Sequence, residues 1–78
     1  MPTILRTGKF AFRLYPNDHA PPHVHVVTAE GEARIQLHPK TVLLGVYGLK
    51  KADAAEAVRL VRQHQVFLLG AWRDLHDE

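Results

Sequence analysis

His23-Val24-His25-Val26-Val27-Thr28-Ala29-Glu30-Gly31-Glu32-Ala33-Arg34-Ile35-Gln36-Leu37 is the stretch that decides the fold. Val24 and Val26 fall on one side of an extended chain, with His23, His25 and Val27 on the other, which is the two-residue period of a strand with one buried face. The alternation returns at Ala33-Arg34-Ile35-Gln36-Leu37. Glu30-Gly31 between the two runs reads as a two-residue turn in which glycine supplies a positive φ. Such a turn sets Val26 opposite Ile35, Val24 opposite Leu37, His25 opposite Gln36 and His23 opposite His38. The apolar residues then share one face of the hairpin and the histidines lie on the other.

Upstream, Lys9 to Tyr15 alternates in the same way, with Phe10, Phe12 and Leu14 against Ala11, Arg13 and Tyr15, and reads as another strand. Pro16 to Pro22 holds three prolines and an Asn-Asp pair, residues that suit a loop, and the Asp18 carboxylate is expected to close a turn there. Downstream, His38-Pro39-Lys40 turns the chain and Val42 to Val46 forms a fourth strand before Gly48. From Leu49 the period becomes helical: Ala54, Val58, Val61, Gln65, Leu68, Trp72 and Leu75 follow a spacing of four and three. Leu60, Phe67 and Ala71 widen the stripe, and Trp72 on it is a core anchor. Gly70 and His64-Gln65-Val66 weaken it, which leaves one bent helix or two. The expected fold class is α+β: one domain over residues 1–78, an antiparallel sheet of three to four strands covered on one face by a C-terminal helical segment.

A chain of 78 residues can close one core, and the absence of cysteine excludes disulfides and thiolate metal sites. No apolar run approaches the roughly 20 residues of a membrane span, and Met1 to Arg6 lacks the apolar segment of a signal peptide, so a cytoplasmic location is the expectation. The formal charge is +2. Residues 1–40 carry five Lys or Arg against three acids and residues 41–78 carry five against five, so any basic footprint lies in the N-terminal half. Lys50 and Lys51 stand at the helix start, where the dipole disfavours cations.

The face opposite the core gathers Arg13, Tyr15, His23, His25, Arg34, Gln36 and His38. An antiparallel sheet leaves such a face wet without any special function. Three chemical readings are open. As a binding surface, Arg13, Tyr15, Asp18, His19, His23, His25 and Arg34 suit a protein or a nucleic acid. As a catalytic site, His23 and His25 would serve as acid and base on RNA, with Arg34 or Arg13 steadying the phosphate and no metal required. As a metal site, the weakest reading, His23 and His25 would be joined by His38, or by Asp18 or His19 from the loop. No cofactor is expected.

At Asp18-His19-Ala20-Pro21-Pro22-His23-Val24-His25-Val26 the chain resembles a small prokaryotic family, domain of unknown function 4160. Gly8 to Tyr15, Glu32-Ala33-Arg34-Ile35, Gly48-Leu49 and Leu68 to Trp72 fit the same pattern, so the resemblance covers nearly the whole chain. Lys50 departs from it, since members often carry proline at the helix start. The resemblance implies a component of a bacterial two-gene, toxin–antitoxin-like module, partnered by the product of an adjacent gene similar to domain of unknown function 2442. It also implies that Asp18, His19, His23 and His25 are the site positions. It leaves enzyme, toxin and antitoxin undecided.

Overall fold

The computed structural model describes residues 3–77; Met1, Pro2 and Glu78 of the expected 1–78 domain lie outside the described residues. Five strands are followed by two helices: β1 (Thr3–Thr7), β2 (Phe10–Arg13), β3 (His23–Val27), β4 (Glu32–Gln36), β5 (Val42–Tyr47), α1 (Lys51–Gln63) and α2 (Gln65–Leu75). The sheet is an antiparallel meander in the order β1-β2-β3-β4-β5. The α+β class stands, and the count of three to four strands is corrected to five. The extra strand is β1, whose exposure pattern shows no alternation. Its position is set instead by a two-residue turn, Gly8-Lys9, with Gly8 at φ +57° and Thr7 paired with Phe10.

The central hairpin forms, but its register is two residues from the expected one. His23 pairs with Gln36, Val24 with Ile35, His25 with Arg34, Val26 with Ala33 and Val27 with Glu32. The connection is Thr28-Ala29-Glu30-Gly31, four residues closed by the Thr28 N–H donating to the Gly31 carbonyl at 2.8 Å. Gly31 does not have a positive φ. It is needed for space: a Cβ there would lie 2.0 Å from the Tyr47 carbonyl oxygen. A slip of two keeps every side chain on its face, because the side-chain period of a strand is two.

Phe10, Phe12, Leu14, Val24, Val26, Ile35 and Leu37 are all buried, as the alternation requires. They join Ala57, Leu60, Val61, Leu68 and Trp72 from the helices in a single apolar cluster. The helical segment is two helices meeting at His64, which has φ −109° and ψ 19°. The hydrogen bonds His64 N–H to Leu60 O and Leu68 N–H to His64 O run through the joint. At the same point the Gln65 amide donates to the Leu37 carbonyl at 2.7 Å, fastening the joint to the end of the sheet. Two members of the expected stripe lie outside the core, Phe67 at 52% and Leu75 at 43% exposure, while Leu68 and Trp72 on the same stripe beyond His64 are buried.

Candidate functional site

The loop from Leu14 to Pro22 leaves β2 and returns to β3, and it brings Tyr15 and Asp18 against the polar side of β3. The Tyr15 ring stands edge-on to His25, with centroids 4.8 Å apart. The Asp18 amide donates to the Tyr15 carbonyl, a backbone turn that leaves the carboxylate free to reach inward. Oδ2 of Asp18 lies 2.8 Å from His25 Nε2 and 3.3 Å from His23 Nε2. The expected role of this carboxylate as a turn closer is therefore replaced by contact with both imidazoles.

Each ring is also held from its other side. His23 Nδ1–H donates to the Pro21 carbonyl at 2.9 Å, and His25 Nδ1 lies 2.8 Å from Glu32 Oε2. The side chains are covered, His25 to 11%, His23 to 15% and Asp18 to 23% exposure, so the expected open face is closed over its histidines. Part of that cover comes from α2, whose Trp72 ring lies 5.4 Å from that of His23. His76 stacks on Trp72 at 3.7 Å, and its Nε2 reaches the Asp18 carbonyl at 3.0 Å, tying the loop to the end of the helix.

Asp18, His23, His25 and Tyr15 thus come together, and Arg13 and Arg34 flank His25 across the neighbouring strands. Arg13 carries a buried Nε with no hydrogen-bond partner among the described residues. Arg34 is exposed; its guanidinium sits 5.3 Å from the Tyr47 ring centroid and 3.9 Å from Glu32. His19 is exposed and contributes no contact to the cluster among the described residues. His38, expected opposite His23, lies in the turn beyond β4, because the register places Gln36 there and Leu37 opposite Pro22. The metal set His23, His25, His38 is accordingly not assembled; the third ligand-bearing residue is Asp18.

Glu32 and His76 were not in the expected site. Glu32 reaches His25 only in the observed register, where it lies diagonally across the ladder from it. Nothing in the local sequence pointed to His76, which arrives through the packing of α2.

The family model Domain of unknown function (DUF4160) matches residues 10–73, a span that includes the loop, both histidines, Glu32 and Trp72. The chain belongs to this family. No curated protein and no solved structure is significantly similar to it. In this DUF4160 domain the second feature exposed to solvent is β5. Val42, Leu43, Leu44, Val46 and Tyr47 are between 38% and 53% exposed, and among the described residues the strand pairs only with β4. Neither described helix is long and apolar enough to cross a membrane.

Proposed function

We propose that this DUF4160 domain is a partner-binding protein, the small component of a two-gene, toxin–antitoxin-like module, and that the product of the adjacent gene adds a strand to β5. The observation that supports this reading is the composition of that edge. Among the described residues β5 offers one unpaired row of backbone N–H and C=O groups, and it has no charged residue or proline along Val42–Tyr47. An edge of this kind invites another chain, and proteins ordinarily blunt it with charges or prolines. The opposite edge is blunted in that way: β1 carries Arg6 and two threonines, with a register irregularity between Thr3 and Leu5.

Strand addition draws affinity from main-chain hydrogen bonds and selectivity from alternate side chains, here Val42 opposite Gln36 and Tyr47 beside Arg34 on the polar side. The two-gene arrangement comes from the family resemblance; the edge supplies the place of contact. Binding also fits the covered histidines better than turnover does. Acid–base work on RNA needs two imidazole nitrogens free to meet substrate, whereas both Nε2 atoms face one carboxylate.

The test is co-expression with the adjacent gene's product followed by size-exclusion chromatography with light scattering. A single complex is expected, lost in Val42→Lys and Leu44→Lys while the circular dichroism of the isolated variants stays that of the wild type. Separate elution of the two wild-type proteins overturns the proposal, as does a complex indifferent to both charges or a β5-mediated dimer of this chain alone.

A further inference from the structure

The histidine cluster presents a hydrogen-bond inventory that does not close with protein atoms alone. A neutral imidazole has one N–H. In His23 that proton is used by the Pro21 carbonyl, and in His25 the Glu32 carboxylate calls for it at 2.8 Å. Both Nε2 atoms are then lone pairs, and both converge on Asp18 Oδ2, itself an acceptor. The three atoms lie within 4.8 Å of one another. Three electron-pair donors aimed at one small space require a cation among them. Protons alone would need two doubly protonated rings, each carrying one positive charge, with centroids 5.4 Å apart around a single oxygen, whereas one metal ion satisfies all three donors.

We propose that Asp18 Oδ2, His23 Nε2 and His25 Nε2 bind one divalent transition-metal ion of the zinc or iron(II) class. Two imidazoles and one carboxylate are the protein ligands of open zinc sites and of the facial iron(II) arrangement, and an all-oxygen ion such as Mg2+ is disfavoured by the two nitrogens. Ligand atoms roughly 2.1 Å from a tetrahedral ion stand about 3.4 Å apart. The His23–Asp18 separation of 3.3 Å already has this value, and the His25–Asp18 separation of 2.8 Å reaches it by a small rotation of Asp18, which sits on a loop.

The surroundings have the character of a metal site as well. Ligating histidines hand their second nitrogen to a carboxylate or a backbone carbonyl, which fixes the tautomer and aims the lone pair. Glu32 and Pro21 fill those two roles here. The Tyr15 and Trp72 rings wall the cluster, while the partial exposure of Asp18 leaves an approach for the ion and for a solvent ligand. His19 and His38 take no part. The ion would be held with at least one coordination position open.

The experiment uses the full chain, purified without a polyhistidine tag, stripped with EDTA and titrated by calorimetry with Zn2+, Co2+, Mg2+ and, anaerobically, Fe2+. One Zn2+ or Co2+ per chain is expected, with a visible Co2+ spectrum and a rise in thermal midpoint on adding Zn2+, and no response to Mg2+. Asp18→Asn, His23→Ala and His25→Ala are expected to weaken binding more than about 100-fold, and Glu32→Gln by about 10- to 100-fold, the usual cost of losing an orienting partner. His19→Ala and His38→Ala should bind as the wild type does. The wild-type titration needs no variant to fold, and absence of binding there overturns the proposal. Undiminished binding in folded Asp18→Asn, equal loss in His38→Ala, or Mg2+ binding as tight as Zn2+ overturns it too.

Discussion

Gly31→Ala should be among the most damaging small substitutions in this domain, for a reason unrelated to backbone conformation. Gly31 lies outside the left-handed region, so alanine meets no φ penalty there. Its methyl would be 2.0 Å from the Tyr47 carbonyl oxygen and within 2.9 Å of the Gly48 backbone, where ordinary contact begins near 3.4 Å. The obstacles are backbone atoms, so no side chain can swing away. Relief requires the end of β5 to retreat by about 1.4 Å, the difference of those two distances, which breaks the Glu32–Tyr47 pairing. It also strains the Thr28–Gly31 hydrogen bond. Loss of two or three hydrogen bonds at about 1 kcal/mol each, offset by about 0.5 kcal/mol from the stiffer unfolded chain, leaves a net cost of about 2 kcal/mol. A domain of this size has about 4–12 kcal/mol in total. Urea unfolding should show a midpoint lowered by roughly 1–2 M at an unchanged slope, with a thermal midpoint about 10 °C lower. A Gly31→Ala protein within about 0.5 kcal/mol of wild type, less than one hydrogen bond is worth, would refute the steric reasoning.

The same change in α2 should have the opposite sign: a Cβ at Gly70 meets nothing within 4 Å, so Gly70→Ala is expected to stabilise by about 0.5–1 kcal/mol in urea unfolding. Lys50 caps α1 at φ −67° and ψ 154° without a side-chain hydrogen bond, angles that proline adopts freely, so Lys50→Pro should keep the fold and raise stability by about 0.5 kcal/mol in the same measurement. Lys9 donates to Asp53 at 2.9 Å, which holds its ammonium above the ordinary 10.5. A raised lysine contributes below its unfolded value and loses the contribution as pH climbs through the folded one. The difference between wild type and Lys9→Gln should therefore be flat from about pH 6 to about pH 9, shrink only above 10.5, and fade at high salt because the pair is exposed.

The legible part of the fold was whatever one buried face writes into the chain. Phe10, Phe12 and Leu14, then Val24 and Val26, then Ile35 and Leu37 alternate because each strand has water or polar neighbours on one side only, and all seven are in the core. β1 left no such trace, since its two apolar residues packed partly on the core, Ile4 and Leu5, are adjacent rather than alternate, beside a register irregularity between Thr3 and Leu5. The division at His64 was visible as a weak point but not as two helices, because the Gln65 amide that fastens it there reaches a carbonyl 28 residues away. Phe67 looked like core because it borders Leu68 on the stripe; Leu68 is buried while Val66 and Phe67 beside it face solvent.

The site was legible in parity but not in partners. Faces survive a two-residue slip, so His23 and His25 were assigned together correctly to one side, while each residue facing them across the ladder was misplaced. The Glu30-Gly31 turn pointed to the wrong register, and the observed one sets His25 directly opposite Arg34, a pairing that side-chain preferences disfavour because both groups can be positive. That objection is removed by groups outside the pair. Asp18 from the loop and Glu32 from β4 bracket the His25 ring, and the Arg34 guanidinium turns to Tyr47 on β5. The observed register also passes Gly31 close under Tyr47, a contact between β5 and the turn that no reading of the hairpin alone contains. The register that brings Glu32 to His25 thus coexists with a tight steric fit between the turn and β5, so crowding at Gly31 strains the same β4 from which Glu32 reaches the cluster.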